Sequence, residues 1–135
     1  MEHKTDKLVF PSEEIVPKEL CMHFIRGYFD GDGCVCAYQN KYISQKKRNP
    51  TIKYRSRLSV DFTGTYNMIQ TIASYLNIPS IRKEKRRTSE VYYCSTGKID
   101  TVQNIYKYMY EGATVYLSRK KQKFDENLQK DVQRL

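Results

Sequence analysis

The chain has 135 residues and a mass of 16.0 kDa, the size of one domain with room for a buried core, so residues 1–135 are expected to form a single unit. Its 24 Lys and Arg against 15 Asp and Glu give a net charge of +9 and a pI near 9.4, which suits a polyanionic partner, nucleic acid first among them. No apolar run reaches the roughly 18 residues of a membrane span, mean hydropathy is −0.73, and the start "MEHKTDKLVFPSEE" has neither a signal-peptide core nor an Arg-rich transit pattern, so an intracellular, soluble protein with no membrane partner is expected.

In chain order, residues 1–16 read as an N-terminal arm and 17–33 as a helix, with Pro17 suited to its first turn and Glu19 favourable there. The helix carries two apolar stripes. One is Cys21, Ile25 and Phe29; the other is Leu20, Phe24, Gly27 with Tyr28, and Gly31. Two apolar faces imply two packing partners. After Gly33 the period changes: "CVCAYQNKYI" is rich in strand formers, and "YRSRLSVDFTG" alternates, with Leu58, Val60 and Phe62 on one face and Arg55, Arg57, Ser59, Asp61 and Thr63 on the other. Thr65 can cap a helix through Met68, Ile69, Ile72, Tyr75 and Leu76 that ends before Pro79. "SIRKEKRR" and "EVYYCST" read as a second strand pair. A third helix follows through Ile99, Val102, Ile105 and Met109 and stops near Gly112, and a last one is expected from Thr114 using Leu117, Phe124 and Leu128. The result is an α+β domain with helices on one sheet face, the other face left for water or a ligand.

The four cysteines, Cys21, Cys34, Cys36 and Cys94, include no C-x-x-C, and only two histidines, His3 and His23, accompany them, which excludes a zinc signature. They are expected to be reduced core residues. The stretch "FIRGYFDGDG" (24–33) is the unusual one, because it places three glycines and two carboxylates at a helix end. An EF-hand from Asp30 would need Gly and Glu where Val35 and Lys41 stand, and a dinucleotide fingerprint needs strand before helix, the reverse of this order. Gly27 and Gly31, four apart on the Leu20/Phe24/Tyr28 face, permit close approach of a twin helix. Asp32 would sit beside helix C-terminal carbonyls, where a carboxylate is disfavoured unless a cation joins it. Two such helix ends would bring two acids and bound metal to a two-fold axis, a geometry for phosphodiester hydrolysis.

"IRGYFDGDG" (25–33) resembles the signature of the LAGLIDADG homing endonucleases, with Ile25 for the leading Leu, Gly27 for the first Gly, Tyr28 and Phe29 for the apolar pair, and Arg26 replacing the usual Ala. The order of elements and the tail "YLSRKKQKF" (116–124) extend the resemblance over most of the chain. It implies an αββαββα core with a curved antiparallel sheet as the DNA-binding saddle and the motif helix at a dimer interface made by Leu20, Phe24, Gly27, Tyr28 and Gly31. It implies Mg2+, with Mn2+ able to substitute, held by Asp32 and the Gly31 carbonyl, and a mainly structural Asp30. Lys120 would approach the scissile phosphate or the attacking water. For a second polar group that positions water, Asp61 and Thr63 both remain open, Asp61 being the better chemical choice.

The family reads double-stranded DNA with the open sheet face, which nominates Tyr38, Asn40, Tyr42, Arg55, Arg57, Ser59 and Thr63. In "IRKEKRR" either Arg82, Glu84 and Arg86 or Lys83, Lys85 and Arg87 would face DNA, Arg82 and Arg86 being the candidates of the first set. One motif copy implies a homodimer on a long, near-palindromic site, cut across the minor groove to leave staggered ends. The rival reading is a catalytically idle relative: a DNA-binding regulator, or a maturase that binds intron RNA.

Overall fold

A computed structural model describes residues 8–44, 48–85 and 90–132. Pro17 precedes a 3-10 turn, Lys18–Leu20, and the first α-helix, α1, spans Cys21–Asp32. Helix α1 ends where Gly33 N–H bonds the Phe29 carbonyl at 2.8 Å. Gly33 is extended there (φ −84°, ψ 169°), so no left-handed turn explains it. A Cβ on Gly33 would stand 2.3 Å from Phe29 Cδ2 and 2.8 Å from the Phe29 carbonyl oxygen, so the glycine is required by close approach.

Strand β1 (Cys34–Ile43) pairs antiparallel with β2 (Ile52–Gly64), Cys34 opposite Asp61 and Asn40 opposite Arg55. Thr65 caps α2 (Tyr66–Leu76), its hydroxyl accepting from Met68 N–H at 3.2 Å, and Asn77 in the left-handed region (φ 57°) closes it. Strands β3 (Ile81–Lys83) and β4 (Tyr92–Thr96) complete a four-stranded antiparallel sheet of order β1-β2-β4-β3. Helix α3 (Ile99–Tyr110) stops ahead of Gly112, whose φ is +72°.

Helix α4 (Ser118–Val132) starts four residues later than Thr114, and Leu117 is exposed, not part of the core. The connection is diverted to other partners: the Val115 carbonyl accepts from Arg26 Nε at 3.0 Å and Leu117 N–H donates to Asp30 at 3.0 Å. The α+β order is therefore α1-β1-β2-α2-β3-β4-α3-α4.

The core lies between the helices and the inward side chains of the sheet. Val35, Leu58, Val60, Phe62 and Cys94 meet residues of all four helices, and Phe29 of α1 packs on Phe62 (5.5 Å between centroids) and Phe124 (5.9 Å). Burying such rings contributes on the order of 2 kcal/mol each and fixes α1 against the sheet. The N-terminal segment is docked: Phe10 meets Phe24 edge-on at 4.9 Å and stacks on Tyr75 at 5.6 Å, while Thr65 donates to the Leu8 carbonyl at 2.5 Å. Among the described residues no helix is long and apolar enough to cross a membrane.

Candidate functional site

The C-terminus of α1 and the N-terminus of α4 are cross-braced. Lys120 of α4 donates to the carbonyls of Phe29 (2.6 Å), Asp30 (3.0 Å) and Gly33 (2.7 Å), which uses the three donors an ammonium has. In the other direction the Asp30 carboxylate accepts the Leu117 amide just ahead of α4, where negative charge is favourable. Burial holds the Lys120 ammonium below its usual range, against the pull of Asp30. Asp32, the last residue of α1, is exposed. The two carboxylates of the motif are thus sorted by geometry: Asp30 is engaged and Asp32 faces solvent.

Arg26 departs from expectation for a charge on a helix flank. It is only 6% exposed, and its guanidinium reaches the Met109 carbonyl (2.8 Å), the Val115 carbonyl (3.0 Å) and His23 Nδ1 (2.6 Å), tying α1 to the end of α3. A burial pattern read as apolar stripes could not find this role, because an arginine scores as surface.

At the end of β2, Asp61 and Thr63 both occupy the outward side of the sheet. Asp61 accepts from the Ser59 hydroxyl at 3.4 Å and sits between Cys34 and Ser95 in register. The Thr63 carbonyl takes the Tyr28 hydroxyl at 2.6 Å. Burial first, and then the nearby Asp32 carboxylate, push the Tyr28 pKa up to about 12. Tyr28 therefore links the motif helix to the β2 end at which both candidate water-positioning residues lie.

The outer side of α1 is open. A Cβ on Gly27 or Gly31 would meet nothing within 4 Å, and Leu20 is 49% exposed. Phe24 and Tyr28 are half-buried on the border of that face, Phe24 against Phe10 and Tyr28 against the sheet, so they frame the open surface more than they form it.

Register decides the other open surface. Because cross-strand partners share a face, Tyr38, Asn40 and Tyr42 lie with Arg57, Arg55 and Lys53, and Ser59, Asp61 and Thr63 continue toward the α1 end. The Arg55 guanidinium stacks over Tyr42 at 4.2 Å. Arg82 is opposite Tyr93, itself opposite Thr63, so Arg82 belongs to this surface and Lys83 to the other side. Arg86 lies outside the described residues. Lys53, Arg55, Arg57 and Arg82 against Asp61 give the strands of this face a clear positive balance. Lys53, Tyr93 and Ser95 were missed by pattern alone, although alternation about the buried Cys94 would have placed the last two. The cysteine expectation splits: Cys21 and Cys94 are buried, whereas Cys34 and Cys36 are exposed because β1 turns both outward around the buried Val35. Among the described residues, no three His, Cys, Asp or Glu gather as a metal cluster.

A sequence model described as LAGLIDADG endonuclease matches residues 25–128. No curated protein matches the chain. Among solved structures, the homing endonuclease I-CvuI in complex with the I-CreI target has a TM-score of 0.55 at 18% identity, covering 82% of this chain and 65% of that one. I-SmaMI, described as a LAGLIDADG homing endonuclease bound to cleaved DNA, gives 0.56 at 18% identity over 77% of this chain and 33% of that one. I-TnaI, also a homing endonuclease, gives 0.51 at 14% identity, with 80% and 69% covered. The chain thus spans about two thirds of I-CvuI and a third of I-SmaMI, and the likeness is one of fold. With the motif at the end of α1, the matching order of elements and a family match over most of its length, this chain belongs to the LAGLIDADG endonuclease family.

Proposed function

We propose that the protein is a site-specific, Mg2+-dependent DNA endonuclease that works as a homodimer through the open face of α1. The observation that carries this reading is the exposed Asp32 at the end of a helix on which a Cβ at Gly27 or Gly31 would point into open space. Packed on a second copy, that face would bring two Asp32 carboxylates to one axis, each beside its own basic sheet surface. DNA-bound relatives such as I-SmaMI support the same use of the fold.

The donors at the end of α1, the Asp32 carboxylate and the Gly31 carbonyl, are hard oxygens and fit Mg2+, which binds few protein ligands and keeps several waters; Mn2+ accepts the same set. When bound, the cation supplies Lewis-acid polarisation of the phosphodiester. Asp61, and in its place Thr63, would orient the attacking water from the end of β2. Lys120 acts from behind as a positioning residue: its charge offsets the α1 carbonyls that flank Asp32, and it would have to release one of three hydrogen bonds to reach a phosphate. Tyr38, Asn40, Tyr42, Arg55, Arg57, Ser59, Thr63 and Arg82, with Arg86 beyond them in sequence, would read the major groove. The arginines are suited to guanine and Asn40 to adenine. Cutting across the minor groove from two sites would leave staggered ends.

The test is incubation of purified protein and Mg2+ with DNA carrying the uninterrupted version of its own insertion locus. Double-strand breaks at one site are expected, with light scattering showing twice the 16.0 kDa chain mass. Tight binding without any cleavage would transfer the protein to the regulator or RNA-maturase class, and a monomer would remove the paired-site mechanism.

A further inference from the structure

Cys34 and Cys36 are used by nothing described above, yet they form a built pair. Both are exposed on the outward side of β1, their sulfurs are 3.3 Å apart, and Val35 between them is buried and anchors the strand. Cys34, two residues beyond Asp32 in sequence, is across from Asp61, and Cys36 is across from Ser59. Lys123 of α4 reaches the Val35 carbonyl at 3.4 Å, and its charge favours the Cys34 thiolate against the larger opposing effects of the Cys36 hydrogen bond, burial and Asp61, which hold that thiol above its usual range.

Two outcomes are chemically open to such a pair, and distances choose between them. A disulfide needs sulfurs about 2.05 Å apart and Cα atoms no more than about 6.8 Å apart. Residues i and i+2 of an extended strand stand about 6.8 Å apart, at the limit, so closing that bond would pull β1 out of its ladder with β2. Chelation asks far less. Two thiolates about 2.3 Å from a tetrahedral ion lie about 3.8 Å from one another, a change of only about 0.5 Å from the observed spacing. Thiolates also select soft cations and leave Mg2+ to the oxygens at the end of α1.

We propose that Cys34 and Cys36 form a bidentate site for a thiophilic divalent cation, Zn2+ or Cd2+, on the outward face of the sheet beside Asp61. The two sulfurs are the binding element, and water completes the shell, since no third His, Cys, Asp or Glu joins them among the described residues. A cation held there lies on the surface assigned to DNA and next to a candidate water-positioning group, so it acts as an inhibitor with a binding site separate from that of Mg2+.

The direct test is titration of reduced protein with Cd2+ alone, following thiolate-to-metal charge-transfer absorption in the ultraviolet. One equivalent per chain is expected, and the absorption should vanish in C34S/C36S while the buried Cys21 and Cys94 remain. Alkylation mapped by peptide mass needs no variant: Cd2+ should protect Cys34 and Cys36 from iodoacetamide at least tenfold. Absorption retained in C34S/C36S, or no protection in the natural chain, overturns the proposal. In a cleavage assay with Mg2+ in excess, Cd2+ should inhibit the natural chain and spare C34S/C36S. This last arm rests on the endonuclease reading, whereas the absorption and alkylation arms do not, so failure of one is distinguishable from failure of the other.

Discussion

One side of α1 is finished within its own chain and the other is not. Inward, Ile25 and Phe29 are fully buried, Gly33 is pressed against Phe29, and Arg26, Asp30 and Tyr28 are bonded to α3, α4 and β2. Outward, Leu20 is half exposed and Gly27 and Gly31 face open space. Glycine inside a helix is unfavourable by about 0.5–1 kcal/mol relative to alanine, and among the described residues no close approach at positions 27 and 31 excludes a Cβ. The contrast teaches that glycines of one motif are not equivalent: Gly33 answers to an intramolecular constraint, while Gly27 and Gly31 are left open, as the proposed dimer would require.

Asp32→Asn should have the largest effect. Cleavage is expected to fall on the order of 10²–10³-fold or more, as when a charge-stabilising group is removed from a site, while DNA binding by mobility shift stays near that of the natural chain. Lost binding or folding would mean that Asp32 belongs to the structural side of the helix. Gly33→Ala comes next, with a loss of about 1–3 kcal/mol in urea denaturation, because the new methyl collides with backbone as well as ring atoms of Phe29. Gly27→Ala and Gly31→Ala should do the reverse, raising monomer stability by about 0.5–1 kcal/mol each while weakening self-association in sedimentation and, with it, cleavage. Unchanged assembly in the double variant would show that the open face of α1 is not the surface of self-association.

The smallest effect concerns Tyr28. Its pKa in the fold is about 12 against 10.0 for an ordinary tyrosine, so the neutral hydroxyl is the stabilised form. That contribution is complete below pH 10 and is lost as pH rises through 12. Tyr28→Phe has no proton to lose and should show a flatter fall in denaturation midpoint across this window. A residual slope is expected from Tyr75, whose pKa is also pushed to about 12, the hydrogen bond with Cys21 and then burial being the main causes. An identical slope in Tyr28→Phe and the natural chain would show that the Tyr28–Thr63 link contributes no pH dependence.

The α+β order was legible because its signals are local. Alternation at Leu58, Val60 and Phe62, the cap at Thr65 and the glycine at 112 each act within a few residues, and each is met in the fold. The boundary of α4 was not, because the residues ahead of Ser118 are claimed by Arg26 and Asp30, nearly ninety positions away in sequence. The outward set on β1 and β2 followed from alternation plus one anchor, Asp32. For the strand at 81–83, which is too short to alternate, only pairing with β4 selected Arg82.

By itself, the sequence favoured a polyanionic partner, through an excess of positive charge, and determined the identity of the motif, through its spacing at a helix end and the order of elements around it. Tertiary structure alone decided how the motif's charges divide. Lys120 of α4 and Leu117 just ahead of it converge on the end of α1, engaging Asp30 and leaving Asp32 exposed. The same holds for Arg26, a charged residue made internal by carbonyls at the end of α3, and for Cys34 and Cys36, turned outward by the pleat of β1. Composition and periodicity report what each residue prefers on average. Long-range hydrogen bonds and strand register then set which groups are spent within the chain and which are left to meet another molecule.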